Sequence, residues 1–186
     1  MRPLIALLLA LSVAACDKEK PKEPQAEATQ PSPEMGRIDV STRGKPAPAI
    51  PFVGPDGGPA TLATFRGKPL MVNLWATWCA PCVSEMHTLD ALAGQDKDRF
   101  RLIVVSQDMG GNKEVDPFFA KNKFANLQPY LDKQNVLMSA LKAEQLPTTI
   151  FYDAAGKEQW RVTGAMDWQG ARAKTLIDGA LKPAAG

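Results

Sequence analysis

The apolar run Leu70-Met71-Val72-Asn73-Leu74-Trp75 passes through a break of small residues into Trp78-Cys79-Ala80-Pro81-Cys82, and then into residues of helical pattern. This stretch constrains the fold more than any other. An apolar run with so little polar alternation reads as a strand buried on both faces, as a parallel strand is. The break that follows puts Cys79 at the N-terminus of the next helix. There, unpaired backbone N–H groups and the positive end of the helix dipole favour a thiolate and lower its pKa. Cys79 and Cys82 occupy neighbouring positions on the helical surface, close enough to close a small disulfide ring. The pattern points to a dithiol that cycles.

The helix from about Cys79 carries Val83, Met86, Leu89, Leu92 and Ala93 at three- and four-residue spacings, a core-facing stripe. Phe100 to Ser106 is the next buried strand, so strand, helix and strand form a βαβ unit. Upstream, Gly54-Pro55-Asp56-Gly57-Gly58-Pro59 is dense turn chemistry between two short strands, and Leu62 to Phe65 reads as a helical turn. Downstream, Asp116-Pro117 has the form of an N-cap and a first-turn proline, predicting a helix from Phe118 to about Lys123. Tyr130-Leu131 reads as a short strand and Val136 to Leu141 as helix. Leu146 to Tyr152 is a strand entered through Pro147, and Asp153-Ala154-Ala155-Gly156-Lys157 turns it into Glu158 to Val162 as a hairpin. Asp167 is expected to cap a last helix running towards Leu181, with Leu176, Ile177 and Ala180 on its inner face.

The chain has 186 residues, 45% of them apolar, enough for one domain with a sizeable core plus an appendage. Its 22 basic and 20 acidic residues leave a formal charge of +2 and no block of like charge, so nothing points to nucleic acid. Three cysteines are too few for a disulfide-stapled scaffold, and the odd one is Cys16. Met1-Arg2, the apolar run Leu4 to Leu11 and the small residues Val13-Ala14-Ala15 compose a secretory signal, too short to span a membrane. Because the cleavage site abuts a cysteine, Val13-Ala14-Ala15-Cys16 resembles the lipobox of bacterial lipoproteins, which implies lipidation at Cys16. From Asp17 to about Thr42, Pro21, Pro24, Pro31 and Pro33 stand among Lys, Glu, Gln and Ala, a composition expected to form a disordered tether. The expected organisation is a signal peptide over 1–15, a lipid-anchored cysteine and tether over 16–42, and one folded domain over 43–186.

Val72 to Cys82, then Leu146-Pro147-Thr148-Thr149, then Asp153 to Lys157, together resemble the thioredoxin superfamily. More narrowly the chain is similar to the TlpA-like branch of anchored extracytoplasmic thiol-disulfide oxidoreductases. The resemblance covers about Lys45 to Leu181. It implies an α/β thioredoxin fold, a central mixed β-sheet flanked by helices. It also implies a cis bond before Pro147, with Pro147 beside Cys79, and an active-site loop of Trp78, Ala80 and Pro81. Leu146, Pro147 and Thr148 would then bind substrate, their backbone pairing with an extended segment. The location implied is the bacterial cell envelope, on the periplasmic side of the membrane, lipid-anchored.

Thiol chemistry supplies the mechanism: Cys79 attacks a substrate disulfide as thiolate, and Cys82 then attacks Cys79 and releases reduced substrate. The redox-active disulfide is the only cofactor expected. Ala80-Pro81 adds no polar group to stabilise the thiolate, which favours a reductase. In an oxidising compartment such an enzyme needs a membrane-linked electron donor. Its partners would be protein substrates with thiols or disulfides, such as apocytochrome c or a copper-site assembly factor. The alternative is a thioredoxin-fold lipoprotein acting as a binding, chaperone or copper-carrying module. A peroxidase is disfavoured, since the upstream peroxidatic cysteine arrangement is missing.

Asn73 stands where thioredoxin has a buried acid, and Glu85, three residues after Cys82, occupies a position where the family often has an acid near the dithiol. Two roles are open to Glu85: a buried acid of raised pKa that takes the Cys82 proton, or a solvated first-turn residue that complements the helix dipole. His87 replaces a helix-kinking proline of many relatives and is assigned a surface or structural place. No metal is expected, because Cys79, Cys82 and His87 are three ligands where a structural zinc site wants four.

Overall fold

The computed structural model describes residues 36–182. The expected signal peptide, Cys16 and the tether as far as Met35 lie outside the described residues. The strands in chain order are β1 (Arg37–Asp39), β2 (Phe52–Val53), β3 (Pro59–Ala60), β4 (Leu70–Trp75), β5 (Arg101–Ser106), β6 (Pro129–Leu131), β7 (Thr148–Tyr152) and β8 (Glu158–Thr163). The helices are α1 (Ala80–Gln95), α2 (Asn112–Asn122), α3 (Val136–Ala140) and α4 (Ala171–Leu181), and Leu62–Phe65 makes a 3-10 turn.

The strands form one mixed sheet in the order β1-β8-β7-β4-β5-β6-β2-β3. Strand β4 lies at its centre, parallel to β5 and antiparallel to β7. All six of its residues are buried, because alternate side chains enter two different cores. Met71 and Trp75 join Val104, Phe151 and Trp160 beneath Met86 and Leu89 of α1 and Ile177 of α4. On the opposite face Leu70, Val72 and Leu74 pack with Ile103, Val105 and Ile150 against Phe65 and Leu137. The period of two therefore puts Asn73 on the α1 side of the sheet. There it stands opposite Val104 on β5 and Thr149 on β7.

Three expectations are corrected. Arg37–Asp39, which composition placed in the tether, pairs antiparallel with Arg161 to Thr163 as an edge strand of the sheet. The polar surroundings are no obstacle, since a ladder at a sheet edge is held by backbone groups and needs little apolar burial. Helix α2 begins at Asn112, so Asp116 and Pro117 lie inside it. Its start is made by Gly111 at φ 59, whose carbonyl receives Glu114 N–H and Val115 N–H, each at 3.0 Å. A left-handed glycine here does what a capping side chain would otherwise announce. Pro117 gives up one helical bond, and Val115, Phe118 and Phe119 hold the helix by packing into the core. Asp167 also precedes its helix: it accepts from Gln169 N–H at 3.0 Å in the turn before α4, whose N-cap is Gly170.

The hairpin turn at Asp153–Lys157 forms as expected, with Gly156 at φ 76 and Asp153 accepting the N–H of Ala155 and of Lys157. Behind it an aromatic row crosses the sheet. Phe151 stacks on Trp160 at 5.1 Å and meets the edge of Phe100 at 5.5 Å. Phe151 is fully buried and belongs to both contacts. Phe151→Ala is expected to cost about 3–5 kcal/mol of stability, read as a lower urea midpoint at unchanged slope.

Candidate active site

Strand β4 ends at Trp75, and the chain turns once before α1: Cys79 N–H bonds Ala76 O at 3.2 Å. Cys79 is the N-cap of α1, and its sulfur accepts from Cys82 N–H at 3.3 Å. Pro81 sits in the first turn, where an N–H has no helical partner to lose. Cys79 and Cys82 are joined in a disulfide with Cα atoms 5.3 Å apart. Cys79 is the outer sulfur residue at 6% exposure and Cys82 the inner at 0%, while the neighbouring Trp78 is 70% exposed.

The Leu146–Pro147 bond is cis, as expected. Beside the disulfide lies a groove of about 640 Å³ whose wall includes Trp78, Cys79, Pro81, Gln107, Met138 and Leu146. Met138 is brought there by α3, a short helix held from below by Asp132. The Asp132 carboxylate accepts the N–H groups of Val136, Leu137 and Met138 at 3.0 to 3.1 Å. Burial raises the Asp132 pKa, and those three N–H groups work against the rise. Of the residues expected to bind substrate, Leu146 lines the groove. Pro147 is buried. Thr148 is a correction: it is 1% exposed, its hydroxyl donates to Gln145 O at 2.7 Å, and its backbone pairs within the sheet on both sides. It supports the turn and offers nothing to the groove.

Glu85 faces the sheet and is 3% exposed, which removes the solvated alternative. One carboxylate oxygen accepts from Asn73 Nδ2 at 2.8 Å; the other accepts from Met166 N–H at 2.9 Å and Trp168 Nε1 at 3.0 Å. Asn73 Nδ2 also donates to Thr149 Oγ1 at 3.0 Å. Among the described residues no cation pairs with the carboxylate. Burial pushes its pKa up to about 7, with the three hydrogen bonds pulling the other way. Glu85 is one helical turn from Cys82, and Asn73 joins it from β4. His87 is exposed against Phe124, with ring centres 5.2 Å apart. Among the described residues no group of three His, Cys, Asp or Glu is arranged to hold a metal ion.

The Redoxin family matches residues 42–177. The chain belongs to the redoxins. Within them it is similar to thiol-disulfide oxidoreductases: it is 30% identical over 134 residues to the thiol-disulfide oxidoreductase ResA of Bacillus subtilis, covering 70% of this chain and 72% of that one. An uncharacterized protein of Haemophilus influenzae is 29% identical over 100 residues, 52% of this chain, and the match spans only 64% of that protein's length. Among solved structures, the exposed lipoprotein thioredoxin Etrx1 of Streptococcus pneumoniae aligns with a TM-score of 0.58 at 25% identity, covering 69% of this chain and 98% of that one. The central mixed sheet flanked by helices is the thioredoxin fold.

Sequence reasoning missed several residues of this redoxin's site. Gln107, Asn135 and Glu144 line the groove, and Asp108 grips the turn before Cys79: Thr77 N–H and Thr77 Oγ1 donate to it at 3.0 and 2.6 Å. Gln107 and Asp108 directly follow the C-terminal end of β5, where α/β sheets hold their ligands, and that rule was the available signal. Nothing in the sequence marks Asn135 or Glu144, which reach the groove from the N-cap of α3 and from the segment between α3 and Leu146.

A carboxyl whose folded pKa of about 7 exceeds its ordinary 4.5 takes up a proton on folding. Stability therefore falls as pH rises through that window and levels off above it, a loss on the order of 3 kcal/mol. Glu85→Gln is expected to abolish this decline, checked by urea denaturation of both proteins at about pH 5 and about pH 8.

Proposed function

We propose that this redoxin is a protein-disulfide reductase of the bacterial cell envelope, tethered through Cys16 on the periplasmic side of the membrane. The observation that carries the reading is the order of groups at the head of α1. Cys79 opens on the groove, Cys82 lies enclosed behind it, and the buried Glu85 follows one turn later. That order suits a relay in which the outer sulfur meets substrate, the inner sulfur resolves, and the buried acid handles a proton.

The Cys79 thiolate attacks one sulfur of a substrate disulfide; that S–S bond breaks, a mixed disulfide forms, and the substrate's other sulfur leaves as thiolate. Glu85, ionised at this stage, takes the proton of Cys82. The Cys82 thiolate attacks Cys79, breaks the mixed disulfide, and releases the substrate's second sulfur. Two electrons have passed to substrate, and the protein ends as the Cys79–Cys82 disulfide. A pKa near neutrality lets Glu85 accept and return that proton at little cost. Trp78, Ala80 and Pro81 form the loop presented to the partner, and the Leu146–Pro147 segment supplies the ledge on which an extended segment lies. A membrane-linked dithiol donor restores the reduced pair, and protein disulfides such as those of apocytochrome c or a copper-site assembly factor are the substrates.

The lipoprotein part rests on Val13-Ala14-Ala15-Cys16 and is supported by the pneumococcal relative named above as an exposed lipoprotein. No helix among the described residues is long and apolar enough to cross a membrane. Cys16→Ser is expected to release the protein from the membrane fraction and abolish labelling by a fatty-acid analogue; retention with full labelling contradicts the anchor.

Cys82→Ser is expected to accumulate mixed disulfides through Cys79 with a limited set of envelope proteins, absent from the Cys79→Ser control. No trapped species, together with no insulin reduction by the wild type, defeats the enzyme reading. A dithiol potential near −120 mV, in place of about −270 mV, would reverse the direction to oxidant. Stoichiometric copper(I) binding without disulfide exchange would favour a carrier.

A further inference from the structure

Asp108 is fully buried, carries a carboxylate, and has no part in the relay above. Every partner of its carboxylate among the described residues is a donor. Thr77 N–H reaches both oxygens, at 3.3 and 3.0 Å, and Thr77 Oγ1 donates to one of them at 2.6 Å. Ser106 Oγ donates to the other at 2.7 Å while accepting Asp108 N–H at 3.0 Å, so its single proton is committed to the carboxylate. A nest with donors on each side is built for the ionised form. No Lys or Arg pairs with it among the described residues.

The position of this charge matters more than its burial. Ala76 to Cys79 is a single turn closed by Cys79 N–H on Ala76 O, and Thr77 is its second residue. The carboxylate thus grips the turn whose last residue is the outer cysteine and whose third is the exposed Trp78. A negative charge, shielded from water and bonded to the turn that ends at Cys79, raises the energy of a thiolate there. The charged side chain in the groove wall is Glu144, which is exposed and screened by solvent.

We propose that Asp108 is a positioning residue that holds the Thr77–Cys79 turn and, through its charge, biases the Cys79–Cys82 pair toward the disulfide, making the dithiol the stronger reductant. This deepens the reductase reading and rests on Cys79 and Cys82 being the redox pair. A stabilised thiolate favours the reduced form, so opposing the thiolate favours giving electrons away.

The test equilibrates wild type, Asp108→Asn and Thr77→Val with glutathione redox buffers and reads the fraction of disulfide. Asp108→Asn keeps the shape and removes the charge; its equilibrium is expected to move about tenfold toward the dithiol, about 30 mV less reducing. Thr77→Val keeps the charge and removes one donor that neutralises it, so its equilibrium is expected to move the other way, about twofold toward the disulfide. A purely mechanical clamp has no reason to give opposite signs. Asp108→Asn within twofold of wild type, or both variants shifting in one direction, overturns the proposal. Should Asp108→Asn not fold, Thr77→Val decides alone, and no shift or a shift toward the dithiol overturns it. A wild type that exchanges with glutathione at no buffer ratio defeats the oxidoreductase reading itself, which is a different failure.

Discussion

Strand β4 has no solvent face, and the architecture follows from that constraint. Six residues buried on two sides require a core above and a core below. The helices α1 and α4 cover one side; the 3-10 turn and α3 close the other. Where the strand ends, the chain has one turn in which to leave the sheet and begin α1. Both cysteines are placed by that geometry, one at the cap and one in the first turn. The outer sulfur is thereby left at the surface while the inner one is driven into the core.

Two carboxylates bracket the dithiol, and the protein treats them differently. Glu85 is held by three donors that do not fully offset its burial, and its pKa sits near neutrality. Such a group changes charge readily, as proton transfer requires. Asp108 is held by hydroxyl and amide donors from Thr77 and Ser106 at the turn before Cys79. One is suited to move a proton and the other to set a field. The difference lies in the partners each meets, since both are buried acids with no cation partner among the described residues.

Much of this was legible in the sequence because the signals were local. The apolar strand, the cysteine pair at a helix start, the turn at Asp153–Lys157 and the proline before a strand each depend on a few adjacent residues. Asp116-Pro117 misled for the same reason. It has the local form of a helix start, and Gly111, with no capping side chain to announce it, had already begun the helix. Arg37–Asp39 could not be found from composition, because an edge strand is held by backbone pairing to residues far along the chain. Thr148 was misassigned because β4, which covers one side of it, is a long-range partner.

The sequence by itself determined the thioredoxin-like βαβ core, the dithiol and its order, and the composition break ahead of the domain. Side-chain period and residue type are intrinsic to the chain. Only the tertiary structure decided what surrounds the sulfurs. It brought Asn73 from β4, Met166 from after β8 and Trp168 from before α4 onto Glu85. It also carried Asp108 from the end of β5 to Thr77. Burial and hydrogen bonding set the chemistry of a carboxylate, and both are properties of the packed neighbours, which for Glu85 lie 12 to 83 residues away in the chain.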